Sequence, residues 1–373
     1  MSRLEHTLAS LVLRILGLAF DRLPIRRRVV LATARVAKLD GNLAYLHAEL
    51  RRTRPDHEIV TFLEPYAYGL LGKLRYMARL VRGTYLLRTS SLFVADNAYL
   101  PIHVAPHRPG TTVVQVWHAV GALKRFGADT TTGLVEPEHS FLHRNYDYVV
   151  CAGAASREPY AAALRTPVEQ VLPLGVPRTD FFFDPVALGA ARDRVLAAYP
   201  RLRTGRVVLY APTFRGRGRA KRAAPGFDAV ALRAALPQSD VLVLKSHPNL
   251  DPAHVPTAGF DVVVAADFEI NELFAATDVL VTDYSSSIFE WALLRRPLVV
   301  LTHDLDAYER DPGLYLDART ELIGEQVDKF EDVSEAIAEA RVDRVAWDAF
   351  IERQIDACDG QASRRFVDRF VAT

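Results

Sequence analysis

The chain has 373 residues, 50% of them apolar and 24% charged, with a formal net charge of +1. That apolar content at that length builds a large core and suits two domains, which excludes disordered and fibrous classes. Two cysteines, Cys151 and Cys358, are too few for a disulfide framework and are not spaced as zinc ligands, so two packed thiols in a reducing compartment are expected.

The charge is unevenly spread. Residues 1–90 hold 16 Lys and Arg against 7 Asp and Glu, whereas the remainder holds 30 against 38. The first quarter is a basic surface of the kind that meets anionic lipid, nucleic acid or phosphorylated ligands. Within it Leu4, Leu8, Leu11, Val12, Ile15, Leu18 and Ala19 recur at three- and four-residue steps, with Arg3, Thr7, Ser10 and Arg14 in the gaps. This predicts an amphipathic helix. Arg14 interrupts a run already shorter than the ~20 apolar residues of a spanning helix, and no small-residue cleavage site follows. The segment is expected neither to cross a bilayer nor to be removed.

Arg26, Arg27 and Arg28, then Lys73, Arg75, Arg79, Arg82 and Arg88, add cations beside apolar residues. At about 1 kcal/mol for each cation near an anionic leaflet, they suit a peripheral membrane role. Ordinary helices with solvated basic faces fit the same pattern. Aromatic residues are not interleaved with these cations as in a recognisable nucleic-acid-binding module, and no nucleic-acid partner is expected.

Beyond this quarter, "SLFVADNAYLPIHV", "TTVVQVWHAV", "YDYVVCAG", "RVVLYAPT", "DVLVLKSHP", "FDVVVA" and "DVLVTDYSS" alternate with helical stretches. Strands apolar on both faces and separated by helices indicate parallel sheets covered by helices, an α/β architecture. Residues 185–206 read as a helix and a break, "AYPRLRTGR", between two groups of strands. The expected division is a Rossmann-like domain at 1–190, a second at 191–345, and a helical tail at 346–373 that crosses back to the first. No GxGxxG fingerprint follows a strand, which disfavours a nicotinamide dehydrogenase.

In open parallel sheets ligands sit beyond the carboxyl ends of the strands, and several polar residues follow strands directly. Asp283, Tyr284, Ser285, Ser286 and Ser287 lie between the strand 279–282 and the helical "IFEWALL". There the unpaired N–H groups and positive end of a helix favour an anion, and three small hydroxyls added to them make a phosphate cradle. Plain capping is the competing reading, but one serine suffices for a cap.

His118 ends the strand "TTVVQVW" before a glycine-containing turn with Lys124 and Arg125, the position of a candidate general base. Lys245, Ser246 and His247 end the strand of "VLVLKSHPNL", which Pro248 stops, and are placed as a cation and donors for phosphate oxygens. "VVLYAPTFRGRGRAKR" ends a strand at Tyr210 and brings Thr213 and Arg215 to its end, with Arg217, Arg219, Lys221 and Arg222 on the loop beyond. No HExxH and no close His/Cys set is present. No metal is therefore expected to be tightly held, and magnesium at most loosely bound.

The ordered stretches "QVWHAVGALKRFG", "GVPRTDFF", "YAPTFR", "LKSHP", "ATDVLVTDYSSSIFEWALLRRPLVVL" and "DGQASRR" together resemble the CDP-glycerol glycerophosphotransferase family, the teichoic acid primases and polymerases of bacterial envelopes. The resemblance spans about residues 112 to 366. It implies a GT-B fold of two Rossmann-like domains facing a central cleft, with the CDP-alcohol bound mainly by the C-terminal half. It also implies a lipid-linked saccharide or polyol-phosphate acceptor arriving from the cytoplasmic membrane surface. The family's WH histidine falls on His118, taken as the base that activates the acceptor hydroxyl. Its HP histidine falls on His247, at the diphosphate, and its TDYSS serines on Ser285, Ser286 and Ser287. The expected reaction transfers a polyol phosphate, glycerol phosphate first, with release of CMP. The short chain and the sequence WHAVGA, where many polymerases read WHGTP, favour single addition or a different CDP-polyol.

Two other readings stay open at the level of sequence. One is a nucleotide-sugar glycosyltransferase of the same fold, and the other a catalytically silent membrane-surface protein that binds nucleotides or glycolipids.

Overall fold

The computed structural model describes residues 3–64, 70–130, 141–216, 221–248 and 250–371. The chain divides into two compact units, one of Met1–Asp180 with Gln354–Thr373 and one of Phe181–Arg353. Each is built on a six-stranded parallel sheet, and the fold is GT-B-like.

In unit 1 the strands are β1 (Arg26–Thr33), β2 (Glu58–Leu63), β3 (Ser90–Ala95), β4 (Thr112–Gln115), β5 (Tyr148–Val150) and β6 (Val171–Leu172), in the order β2-β1-β3-β4-β5-β6. The centre is Val-rich and dry: Val29, Leu31, Val94 and Val114 pack with Leu43, Leu46 and Leu50 of the helix Gly41–Thr53. Phe366, Val367 and Val371 from the end of the chain complete this cluster. The tail is tied down by Arg54, which bonds the Val371 carbonyl at 3.0 Å and Asp368 at 3.1 Å. Gly175, at φ +85, lets the tail approach so closely that a Cβ there would strike the Ala357 carbonyl. A side chain at that position is excluded both by the backbone conformation and by space.

Cys151 and Cys358 are free and buried in this unit. Burial pushes their thiols up, to about 12 and about 11, so they pack as small apolar side chains.

The amphipathic N-terminal helix forms as Arg3–Phe20. Ala9 and Leu13 turn inward, Leu13 meeting Leu80, Leu100 and Val104. Leu8, Leu11, Val12, Ile15 and Leu18 are 43–67% exposed on another side. No helix among the described residues is long and apolar enough to cross a membrane.

The basic quarter is less open than its composition implies. Arg28, grouped by sequence with surface cations, lies inside β1 at 3% exposure, paired with Glu58 at 2.9 Å and bonded to Thr89. Arg79 and Arg82 both pair with Glu64, and buried Arg88 pairs with Asp21. Arginine alternates with apolar residues at a strand start or helix face as readily as on a membrane surface, and only partners at distant positions tell the two apart. The side chain of Lys73 lies outside the described residues.

In unit 2 the strands are β7 (Arg206–Tyr210), β8 (Asp240–Lys245), β9 (Val262–Val264), β10 (Val279–Thr282), β11 (Leu298–Leu301) and β12 (Glu325–Val327). Their order is β12-β11-β10-β7-β8-β9. Every residue of β8, β10 and β11 is buried, as parallel strands covered on both faces must be.

Candidate active site

Two successive strands run to one side from β7 and two to the other from β10, so the sheet of unit 2 reverses between these neighbours. Such a reversal opens a crevice at the strand ends where the two chains diverge. The sequence after β7 is Ala-Pro-Thr-Phe-Arg and after β10 Asp-Tyr-Ser-Ser-Ser, and the two segments are joined. Asp283 Oδ1 accepts the Thr213 N–H at 2.8 Å and its Oδ2 accepts the Thr213 hydroxyl at 2.9 Å.

Arg215 completes the join. Its Nη1 lies 2.8 Å from Asp283 and donates to Thr213 Oγ1, while Nε and Nη2 fork onto Asp304 at 2.7 and 3.1 Å. The guanidinium also lies over the Tyr308 ring at 4.8 Å. Its donors thus serve two carboxylates and a hydroxyl, a geometry only Arg provides. Asp283, Thr213 and Arg215 therefore form the rigid floor of the crevice.

On this floor stands the helix Ser287–Leu294, buried through Leu293. Ser285 and Ser287 share a hydrogen bond of 2.7 Å, and Ser285 Oγ also accepts the Ser287 N–H at 3.3 Å. Ser285 Oγ thus takes up the first N–H of the helix, and the Ser287 hydroxyl bonds back to it. Ser286 is half-buried, and its hydroxyl makes no hydrogen bond among the described residues. The helix is held below by Glu290, which accepts from Asn271 Nδ2 at 3.0 Å.

Lys245 ends β8. Its ammonium donates to the Ala266 carbonyl at 2.7 Å and the Ser246 carbonyl at 3.3 Å. Desolvation pulls its pKa down to about 8, opposed by Glu269 and Asp267. Ser246 is buried, and His247 is half-buried with its ring edge-on to Phe214 at 4.8 Å. Ser246 also lines a cavity of about 400 Å³ walled by Tyr210, Phe227, Leu250 and Phe260. Arg217 and Arg219, on the cationic loop, lie outside the described residues.

In unit 1, His118 follows β4 after Trp117, whose φ of 48° is a left-handed value costly for a bulky residue. Gln115, fully buried, sets that turn. Its Oε1 accepts the Trp117 N–H at 2.8 Å, and its Nε2 reaches the Asn97 carbonyl and the Tyr146 hydroxyl, each at 3.0 Å. Asn42 Nδ2 bonds the Trp117 carbonyl at 2.9 Å, and Arg178 Nη1 bonds the His118 carbonyl at 2.9 Å.

His118 Nδ1 lies 3.2 Å from the Asp96 carbonyl oxygen. A carbonyl only accepts, so Nδ1 carries the proton and Nε2 keeps a lone pair. Burial, then the charges of Arg35 and Arg178, push the His118 pKa down to about 3 against the hydrogen bond to Asp96. The residue is half-buried and its imidazole is neutral at working pH. Lys124 is half-buried on the loop beyond.

The structure thus groups Thr213, Arg215, Lys245, Ser246, His247, Asp283 and Ser285–Ser287 at the strand ends of unit 2, and His118 and Lys124 in unit 1. Sequence reasoning passed over Asp304, Asp96, Gln115 and Asn42. Asp304 directly follows "PLVVLTH", and its place after a strand was the available signal. Among the described residues no group of three His, Cys, Asp or Glu side chains is arranged to hold a metal ion.

A sequence model of the family CDP-Glycerol:Poly(glycerophosphate) glycerophosphotransferase matches residues 18–372. The chain belongs to this family. It is similar to the teichoic acid ribitol-phosphate primase of Bacillus spizizenii, 32% identical over 358 residues, 93% of this chain and 91% of the relative. It is also similar to that organism's teichoic acid poly(ribitol-phosphate) polymerase, at 33% identity over 94% of this chain and 57% of the longer relative. The wall teichoic acid polymerase TagF shares its fold with a TM-score of 0.74 at 19% identity, covering 99% of this chain and 98% of that one. Membership makes the chain a transferase of the glycerophosphotransferase type, from a group of teichoic acid primases and polymerases that use CDP-polyols.

Proposed function

We propose that the chain transfers a polyol phosphate from a CDP-polyol to a hydroxyl of a lipid-linked envelope-polymer precursor, releasing CMP. The observation that carries this reading is the fixed tautomer of His118, with Nδ1–H on the Asp96 carbonyl and an unprotonated Nε2. His118 Nε2 takes the proton of the acceptor hydroxyl, whose oxygen attacks the phosphorus nearer the polyol. The bond from that phosphorus to the bridging oxygen breaks, and CMP leaves with the bridging oxygen.

Unit 2 supplies the donor's ligands. The Ser286 hydroxyl and the start of the helix Ser287–Leu294 meet the diphosphate, with Lys245 and His247 adding positive charge and donors. Arg215 acts through Asp283 and Asp304, holding the floor on which these groups stand. The cavity beside Ser246 has apolar walls suited to the nucleoside. Its aromatic lining, with Tyr210 and Phe227 stacked at 3.8 Å, suits a flat ring. Among the described residues Asp283 and Asp304 are both engaged by Arg215, so a divalent ion would arrive with the donor's own oxygens.

Two similar relatives carry ribitol-phosphate names, which supports CDP-ribitol beside CDP-glycerol as a donor to test. The exposed Leu8, Leu11, Val12, Ile15 and Leu18 support peripheral attachment to a membrane surface, where a lipid-linked acceptor is met. The nucleotide product tests the reading. Phosphoryl transfer from either CDP-polyol yields CMP only when acceptor is present, whereas a nucleoside diphosphate released from a nucleotide sugar identifies a glycosyltransferase and overturns it.

A further inference from the structure

The sheet of unit 1 also reverses, between β1 and β3, so its crevice opens where Thr33–Arg35 and Asp96–Asn97 leave these strands. The turn of Trp117 and His118 leaves the neighbouring β4, and the helix Gly41–Thr53 begins beside it, its Asn42 bonded to that turn.

Asp96 occupies the middle of this arrangement. It is 5% exposed, its main-chain carbonyl holds His118, and its carboxylate Oδ1 has no hydrogen-bond partner. The other oxygen has Arg35 Nε at 3.8 Å, beyond hydrogen-bond reach. Buried carboxylate oxygens are nearly always bonded, and one that is not calls for a donor from outside the protein. Burial raises the Asp96 pKa, opposed by a hydrogen bond from the Thr33 side chain to the carboxyl and by the charge of Arg35, with Asp40 adding to the rise; the Oδ1 oxygen is the one left without a partner. A neutral hydroxyl meets this site better than a second anion, whereas Arg35, with its side chain 40% exposed, pairs with an anion at the rim.

We propose that Asp96 and Arg35 form the acceptor-terminus site: Asp96 Oδ1 accepts a hydrogen bond from a polyol or sugar hydroxyl, and Arg35 pairs with the phosphate of the same terminal unit. The inference rests on the proposed polyol-phosphate transfer and deepens it by naming what unit 1 recognises. The attacking hydroxyl then reaches His118 Nε2 as one of at least two hydroxyls on the same unit, the other being fixed by Asp96. A terminus offering both a phosphate and vicinal hydroxyls, such as a glycerol phosphate or ribitol phosphate cap, satisfies both residues, whereas a bare sugar satisfies only Asp96.

The test compares wild type, Asp96→Asn and Arg35→Gln with two water-soluble acceptors, a short-chain lipid diphosphate disaccharide with and without a terminal glycerol phosphate. With the donor that wild type turns over, Asp96→Asn raises the KM of both acceptors ~30-fold, the size of one hydrogen bond to a charged group. Arg35→Gln raises KM ~10-fold for the phosphate-bearing acceptor alone. The KM of the donor shifts less than ~3-fold in both, and the melting temperature of Arg35→Gln stays at the wild-type value.

Acceptor KM values unchanged in both variants overturn the inference, as do donor and acceptor KM values that rise together. Should Asp96→Asn fail to fold, Arg35→Gln decides alone. An active wild type with flat acceptor KM values removes this site and leaves the transfer reading standing. A wild type that releases no acceptor-dependent CMP removes both.

Discussion

Asp283 holds Thr213 at two points, by its backbone N–H and by its hydroxyl, and so ties the segment after β7 to the segment after β10 across the reversal of the sheet. The same carboxylate pairs with Arg215. Asp283→Ala leaves a buried guanidinium and a buried N–H without this partner, and is expected to destabilise unit 2 by about 3 kcal/mol. Asp283→Asn keeps the shape and one acceptor and costs about 1–2 kcal/mol. Urea unfolding followed with donor titration checks this: both variants lose stability and donor affinity together.

The three serines separate. Ser285→Ala removes a cap and costs about 1 kcal/mol of stability, whereas Ser286→Ala leaves the unfolding midpoint in place and raises donor KM about 10-fold. A Ser286→Ala enzyme with normal donor KM would show that the middle hydroxyl does not meet the diphosphate.

Lys245 gives the proposed donor site an alkaline limit. Its pKa is lowered to about 8, so the ammonium is charged below that value and lost as pH rises through it. The donor kcat/KM, which reports the free enzyme, falls through about pH 8. Lys245→Gln is weak at every pH and lacks the fall. A wild-type profile level to pH 10 contradicts this assignment.

Stability has an acid limit set in unit 1. Burial pushes the pKa of His103 down to about 3 and that of His143 to about 4. Below about 6.5 the unfolded chain takes up protons that these folded histidines refuse, so stability declines as pH drops from 6.5 toward 4. Thermal melting between pH 7 and 5 measures the slope, and His103→Gln makes it shallower.

Most of the architecture was legible because a covered parallel strand is apolar on both faces. β3, β4, β5, β7, β8, β9 and β10 all announce themselves by Val-rich runs, and the serine turn after β10 marks the helix start at which a phosphate is proposed to bind. β1 was not recognised, since it begins with Arg26, Arg27 and Arg28, and the burial of Arg28 depends on Glu58 and Thr89, far along the chain. The same limit applied to Arg215. Its position after β7 was plain in sequence, but its ion pairs with Asp283 and Asp304 bridge 68 and 89 residues, and no local pattern encodes them. Asp96 was hidden for a different reason: its importance lies in a carboxylate oxygen without a partner, a property of the packed unit alone.

The N-terminal helix makes a prediction independent of the chemistry. Its exposed Leu11, Ile15 and Leu18 are the area through which peripheral membrane attachment is proposed. The triple change Leu11→Ser, Ile15→Ser and Leu18→Ser abolishes co-sedimentation with anionic phospholipid vesicles and leaves the melting temperature within about 2 °C. Equal sedimentation of variant and wild type would place membrane contact elsewhere.

The most direct test of the central claim is CMP release from CDP-glycerol and CDP-ribitol by the wild type and by His118→Ala, with the soluble lipid diphosphate disaccharide as acceptor. The account predicts acceptor-dependent CMP from wild type, a fall of at least about 100-fold in kcat for the variant, and donor binding by the variant close to normal. A variant that turns over at near wild-type rate would contradict the assignment of His118 as the base.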